Sequence, residues 1–75
     1  MKEEYTTDDF LAEIAENLAD EAKAIKGYYE LINNCPENLE RFIPQIAEII
    51  ADEKNHMNVL QKIMLDLDSI KAKKD

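Results

Sequence analysis

Asn33-Asn34-Cys35-Pro36 decides the fold, because it is the one convincing break in a 75-residue chain with a single Gly and two Pro. Asn favours turns, and Pro36 disfavours helix at the residue before it. Outward from this break toward the N-terminus, apolar residues recur at helical spacing as far as Thr6-Thr7. Thr7 is the expected N-cap, with Asp8 and Asp9 in the first turn, where the helix dipole favours negative charge. Toward the C-terminus a second helical pattern runs to Ile70, and Lys71, Lys73 and Lys74 complement its negative end. The spacing predicts helix 1 over about 7–33, a turn over about 34–38 and helix 2 over about 39–71. Pro44 removes one backbone donor, so a kink or a short separate first segment is expected there. The chain therefore reads as all-α, a single antiparallel helical hairpin.

Size and charge narrow the function. One compact domain is the most that 75 residues allow, which excludes a Rossmann fold or a barrel. With 17 acidic against 9 basic residues, the net charge of −8 argues against nucleic acid and anionic lipid as partners. No apolar run approaches the ~20 residues of a membrane span, and Met1-Lys2-Glu3-Glu4 has no signal-peptide core behind it. Cys35 is the only cysteine, so neither an intrachain disulfide nor a thiolate metal cluster can form within one chain. A reduced thiol and a cytoplasmic location are the corresponding expectation.

Two helices of roughly 40 Å each, at ~1.5 Å per residue, leave one broad apolar face uncovered. A homodimer or higher homo-oligomer, in which two hairpins complete a four-helix bundle, is the expected remedy. Cover by some other protein is the alternative.

The apolar seams carry interruptions. Helix 1 places Leu11, Ile14, Leu18, Glu21, Ile25, Tyr28 and Ile32 at alternating steps of three and four, the spacing of a bundle core. Helix 2 is read as Phe42, Ile46, Ile49, Glu53, His56, Leu60, Ile63, Leu67 and Ile70. If the chain turns near Pro36, Glu21 and Glu53 lie at one level, with His56 one turn further along the face of Glu53. Two carboxylates and an imidazole are thus expected to converge in an apolar interior. Buried carboxylates need compensation, and no Lys or Arg occupies either seam as read. A divalent metal is the natural counter-charge, since carboxylate oxygen and imidazole nitrogen suit iron, manganese or zinc. One hairpin offers three such side chains. Two related by a twofold axis offer four Glu and two His, the ligand set of two-metal carboxylate bundles.

Here the chain resembles the ferritin-like di-iron carboxylate proteins, and the rubrerythrin-type domain in particular. Glu21-Ala-Lys-Ala-Ile-Lys-Gly-Tyr28 is similar to the family's first-helix Glu followed seven residues later by Tyr, and Asp52-Glu53-Lys-Asn-His56 to its second-helix Glu-x-x-His. The likeness spans about Asp9 to Leu67 but amounts to one hairpin, as in encapsulated ferritins. It implies a ferritin-like four-helix bundle with two iron ions per dimer interface and ferroxidase-like or iron-handling activity. By the same resemblance Glu21 and His56 would be terminal ligands, Glu53 a bridging ligand, and Tyr28 would hydrogen-bond a carboxylate near the metals. A single cysteine cannot supply a four-cysteine rubredoxin-like module, so the electron partner would be external. The Lys-rich 71–75 tail does not resemble an encapsulin-docking peptide.

The non-enzymatic alternative is a helical interaction module in which Glu21, Glu53 and His56 form a polar layer that fixes register. Met57 and Met64 read as gap-filling core, and Gly27 as a position allowing close helix approach. Asp20, Glu48 and Asp52 are nearby acids, which a solvated helix face explains as well as the acidic entry residues implied by the resemblance to encapsulated ferritins.

Overall fold

A computed structural model describes residues 5–74, with side chains to Lys71. Helix α1 runs over Thr7–Asn33, a 3-10 segment over Glu37–Phe42, and helix α2 over Ile43–Lys74. The helices pack antiparallel: Asp8 pairs with Lys71 at the open end, Glu21 with His56 midway, and Tyr29 with Lys54 nearer the turn. No helix among the described residues is long and apolar enough to cross a membrane.

Local chemistry sets the boundaries. Thr6, not Thr7, caps α1: its Oγ1 accepts from the Asp9 N–H at 3.1 Å while its own N–H donates to Asp9 Oδ2 at 3.0 Å. This reciprocal capping box needs an acceptor side chain three residues on. Thr6 has Asp9 in that place, whereas Thr7 has Phe10. At the other end Asn34 satisfies the Glu30 carbonyl twice, from its backbone N–H at 3.0 Å and from Nδ2 at 2.9 Å. Pro44 is the second residue of α2, inside the first turn, where its missing N–H has no intrahelical partner to lose. The α-helix therefore begins at Ile43 rather than near 39, and a separate 3-10 turn carries the chain from Pro36 to it.

The inward stripe of α1 is the one expected: Ile14 is buried, and Leu11, Leu18, Glu21, Ile25, Tyr28 and Ile32 are half-buried. The stripe of α2 differs from expectation. Ile46, Ile50, Glu53, Met57, Leu60, Met64 and Leu67 face α1, with Ile50 buried and the rest half-buried. Ile49, His56 and Ile70 lie one position off this stripe and are exposed, as is Phe42. Four of the nine expected seam positions thus lie off the inward stripe, while Ile63 is half-buried beside Met64, because apolar residues occupy both neighbouring phases.

Enclosure is slight. Only Ile14 and Ile50 count as buried core among the described residues. A compact 8.7 kDa monomer exposes about 4,700 Å², whereas this one exposes 6069 Å². The excess of roughly 1,300 Å² is larger than the ~800 Å² that each partner contributes to a standard protein interface. With extents of 58 × 23 × 15 Å, the molecule is a slab one helix layer thick.

Candidate metal centre

Midway along the slab, Glu21 from α1 and Glu53 and His56 from α2 come together. One ligand atom from each lies within 4.8 Å of the others. His56 Nδ1 is 3.1 Å from Glu53 Oε1 and 3.5 Å from Glu21 Oε2. The i, i+3 spacing of Glu53 and His56 sets them on adjoining turns of one face. Glu21 joins them because the hairpin register brings its level on α1 opposite Glu53. An ionised carboxylate can only accept, so in the contact to Glu53 the imidazole donates from Nδ1.

The depth of the cluster corrects the sequence expectation. The carboxylates are half-buried, with Glu21 at 24% and Glu53 at 19% side-chain exposure, but His56 is 59% exposed. The three converge at the edge of the helix interface, not inside it. Met57 takes the inward position expected of His56. The cluster therefore opens to one flank of the hairpin, beside Asn17 and Val59.

Two carboxylates so close resist double ionisation. A hydrogen bond shared with Glu53, then partial desolvation, then the Glu53 charge hold the Glu21 carboxyl above the usual carboxylate range, while His56 opposes the shift. The donor chemistry fits a divalent cation. Three oxygen and nitrogen atoms are already gathered within 4.8 Å, and ligands at ~2.0–2.2 Å from a common ion lie up to about 4.4 Å apart. The only ion-pair partner of the two carboxylates among the described residues is His56. Tyr28 sits half-buried two turns closer to the chain reversal, and the carboxylates' hydrogen bonding runs to one another and to His56 rather than to it. Asp20, Glu48 and Asp52 are exposed.

One interaction escaped the sequence reading. Lys54 Nζ donates to Tyr29 Oη at 3.0 Å and lies 5.6 Å from the ring centroid, closing the flank opposite the carboxylate cluster. The only sequence-level hint is that both residues fall just beside the inward stripes, where long side chains can meet across the pair.

No family model, curated protein or solved structure matches this chain.

Proposed function

We propose that the chain is a metal-binding half-bundle, resembling the ferritin-like di-iron carboxylate proteins, that completes a two-iron site by pairing with a second copy. The observation that carries this reading is the meeting of Glu21, Glu53 and His56, one ligand atom each within 4.8 Å, on the flank that a single hairpin leaves uncovered. Three ligands underfill a six-coordinate ion, and twofold duplication supplies four Glu and two His. The excess surface supports the same pairing, since the hairpin exposes more than a compact monomer by the area a stable interface requires.

In this arrangement Glu21 and His56 would each hold one ion and Glu53 would lie between the two. Bound Fe(II) would supply electrons to dioxygen or peroxide, which is ferroxidase-like chemistry; manganese or zinc would suit the same donors without this turnover. The chain's own contribution is to fix the carboxylates on rigid helices and to cede the Nδ1 proton or present the second ring nitrogen when a cation replaces it. Val59 and Leu60 line the cleft beside Glu21 and His56, and the apolar face of a second copy would limit water there.

The test is anaerobic Fe(II) titration followed by oxygen, with elemental analysis and solution mass of the same sample. The expected outcome is about two irons per dimer and consumption of Fe(II) on oxygenation. A metal-free assembly that takes up no iron would instead identify Glu21, Glu53 and His56 as a polar layer fixing helix register.

A further inference from the structure

On the flank away from the carboxylate cluster, Tyr29, Ile32, Ala47, Ile50, Ala51 and Lys54 line an open hollow of about 250 Å³. Its origin is local. Ala47 and Ala51 stand one turn apart on one face of α2, and their methyl side chains leave space that larger residues would fill. Ile50, the more deeply buried of the two core residues, and the half-buried Ile32 supply apolar surface. The polar side chains gather at one end. Tyr29 stands one turn before Ile32 and Lys54 one turn after Ala51, and in antiparallel helices both steps lead away from the chain reversal. From the level of Lys54 to that of Ala47 the hollow runs roughly 10 Å, at ~1.5 Å per residue.

Lys54 Nζ donates to Tyr29 Oη at 3.0 Å, and no carboxylate pairs with Lys54 among the described residues. Lys71, by contrast, pairs with Asp8. An ammonium has three donors, of which this bond uses one, and a phenol that accepts keeps its own O–H. The Tyr29 O–H finds no protein acceptor among the described residues. The apolar hollow therefore ends in a cationic donor and a neutral donor whose heavy atoms are 3.0 Å apart.

We propose that this hollow binds a small alkyl monocarboxylate, whose oxygens accept from Lys54 Nζ and the Tyr29 O–H and whose tail lies along Ile50 and Ile32 toward the turn. Each end of the hollow selects one end of the ligand. A carboxylate only accepts, and its two oxygens match two adjacent donors. An alcohol would cover the apolar surface but leave the Lys54 charge without a counter-ion. Acetate would meet the charge but leave Ile32 and Ile50 open to water. A second negative charge on the ligand would work against the chain's net charge of −8, which favours a monoanion. The hollow is smaller than the ~300 Å³ at which ordinary small-molecule sites begin, so the tail is short. None of Glu21, Glu53 and His56 takes part, and the site stands whether or not the chain binds metal.

Titration of the isotope-labelled full chain with sodium hexanoate, followed by amide NMR in chelator at constant sodium concentration, tests this. The amides of Tyr29, Ile32, Ala47, Ala51 and Lys54 are expected to shift together and saturate, with a Kd on the order of 1 mM. Each methylene added between butanoate and hexanoate should tighten binding about two- to fourfold. Acetate and hexanol should each bind at least about tenfold more weakly than hexanoate. Hexanol equal to hexanoate would overturn the proposal, because the two donors would then contribute nothing. Shifts that fail to saturate, or that spread to Phe10, Leu31 and Phe42, would reduce the effect to adsorption on exposed apolar surface and overturn it too. Lys54→Met keeps the stem and removes the charge, so hexanoate should bind about tenfold more weakly. Ala51→Leu leaves both donors and fills the hollow, so saturable binding should disappear. Unchanged affinity in either variant refutes the site. Both positions are exposed, so helicity should persist, and the ligand series reads out on the unmodified chain.

Discussion

The two flanks of the hairpin are built differently. On one, Tyr29 and Lys54 reach across the helix pair and bond, and Ala15, Ala22, Ala47, Gln61 and Asp68 along it are small or polar, with Leu65 between the last two the exposed apolar exception. On the other, Phe10, Leu31, Phe42, Ile49, Val59 and Ile70 are large, apolar and exposed, and His56 stands among them. A single chain finishes the first edge with its own side chains and leaves the second to be covered. The carboxylate cluster opens on the second. On the proposed reading stability and chemistry share one requirement, since a partner that buried the apolar stripe would also close over Glu21, Glu53 and His56.

The largest expected effect comes from placing charge on the open flank. Ile49→Asp would put a carboxylate into the proposed interface, where an unpaired charge costs several kcal/mol. Self-association should fall by at least about a hundredfold, read as a halved solution mass by sedimentation. Ile49 is 40% exposed in the lone hairpin, so helicity by circular dichroism should persist. Gln61→Glu, the matched change on the closed flank, should leave the mass unaltered. Equal effects from both substitutions would erase the distinction between the flanks.

A smaller effect is expected at the cluster itself. Because the Glu21 carboxyl is raised in the folded chain, the stability tied to its protonation is fully present below the unfolded carboxylate range and is lost as pH rises through the raised value. Glu21→Gln removes that loss. The metal-free variant should therefore be more stable than the parent at neutral pH, the difference should vanish in acid, and metal uptake should drop. A chain in which Glu21 only fixes register would gain stability without any change in metal uptake. Thermal melts across pH in chelator, paired with metal titration, separate the two.

How much of this was legible depends on how many phases the sequence offers. On α1 the alternation Leu11, Ile14, Leu18, Glu21, Ile25, Tyr28, Ile32 has one dominant inward phase, and the structure uses it. On α2 two apolar stripes run side by side: Ile49 and Ile63 on one, and Ile50, Met57 and Met64 on the other. Periodicity alone cannot choose between them, and the outer stripe gained its appeal from His56. The shared positions Ile46, Glu53, Leu60 and Leu67 belong to both readings. That is why the cluster was identifiable even though the depth of His56 was not. The N-cap was readable in principle, because only Thr6 has an acidic residue three places on. The Lys54–Tyr29 contact was not, since it depends on the reach of two long side chains across a helix interface.

That contact gives the finest test of the two flanks. Lys54 Nζ makes one hydrogen bond to Tyr29 Oη and also approaches the ring, both at an exposed edge. Exposed cation–π and surface polar contacts are worth ~0.5–1 kcal/mol. A double-mutant cycle with Lys54→Met and Tyr29→Phe isolates the hydrogen-bonded part of the pair, because the ring and the aliphatic stem remain. The expected coupling is a few tenths to about 1 kcal/mol in chemical denaturation, with no change in solution mass. If either substitution alters self-association, the closed flank is part of an interface, and the asymmetry between the two edges has been read backwards. If coupling is present and association is untouched, the Tyr29–Lys54 clasp serves the single hairpin, and the partner's place is on the side where His56 stands exposed.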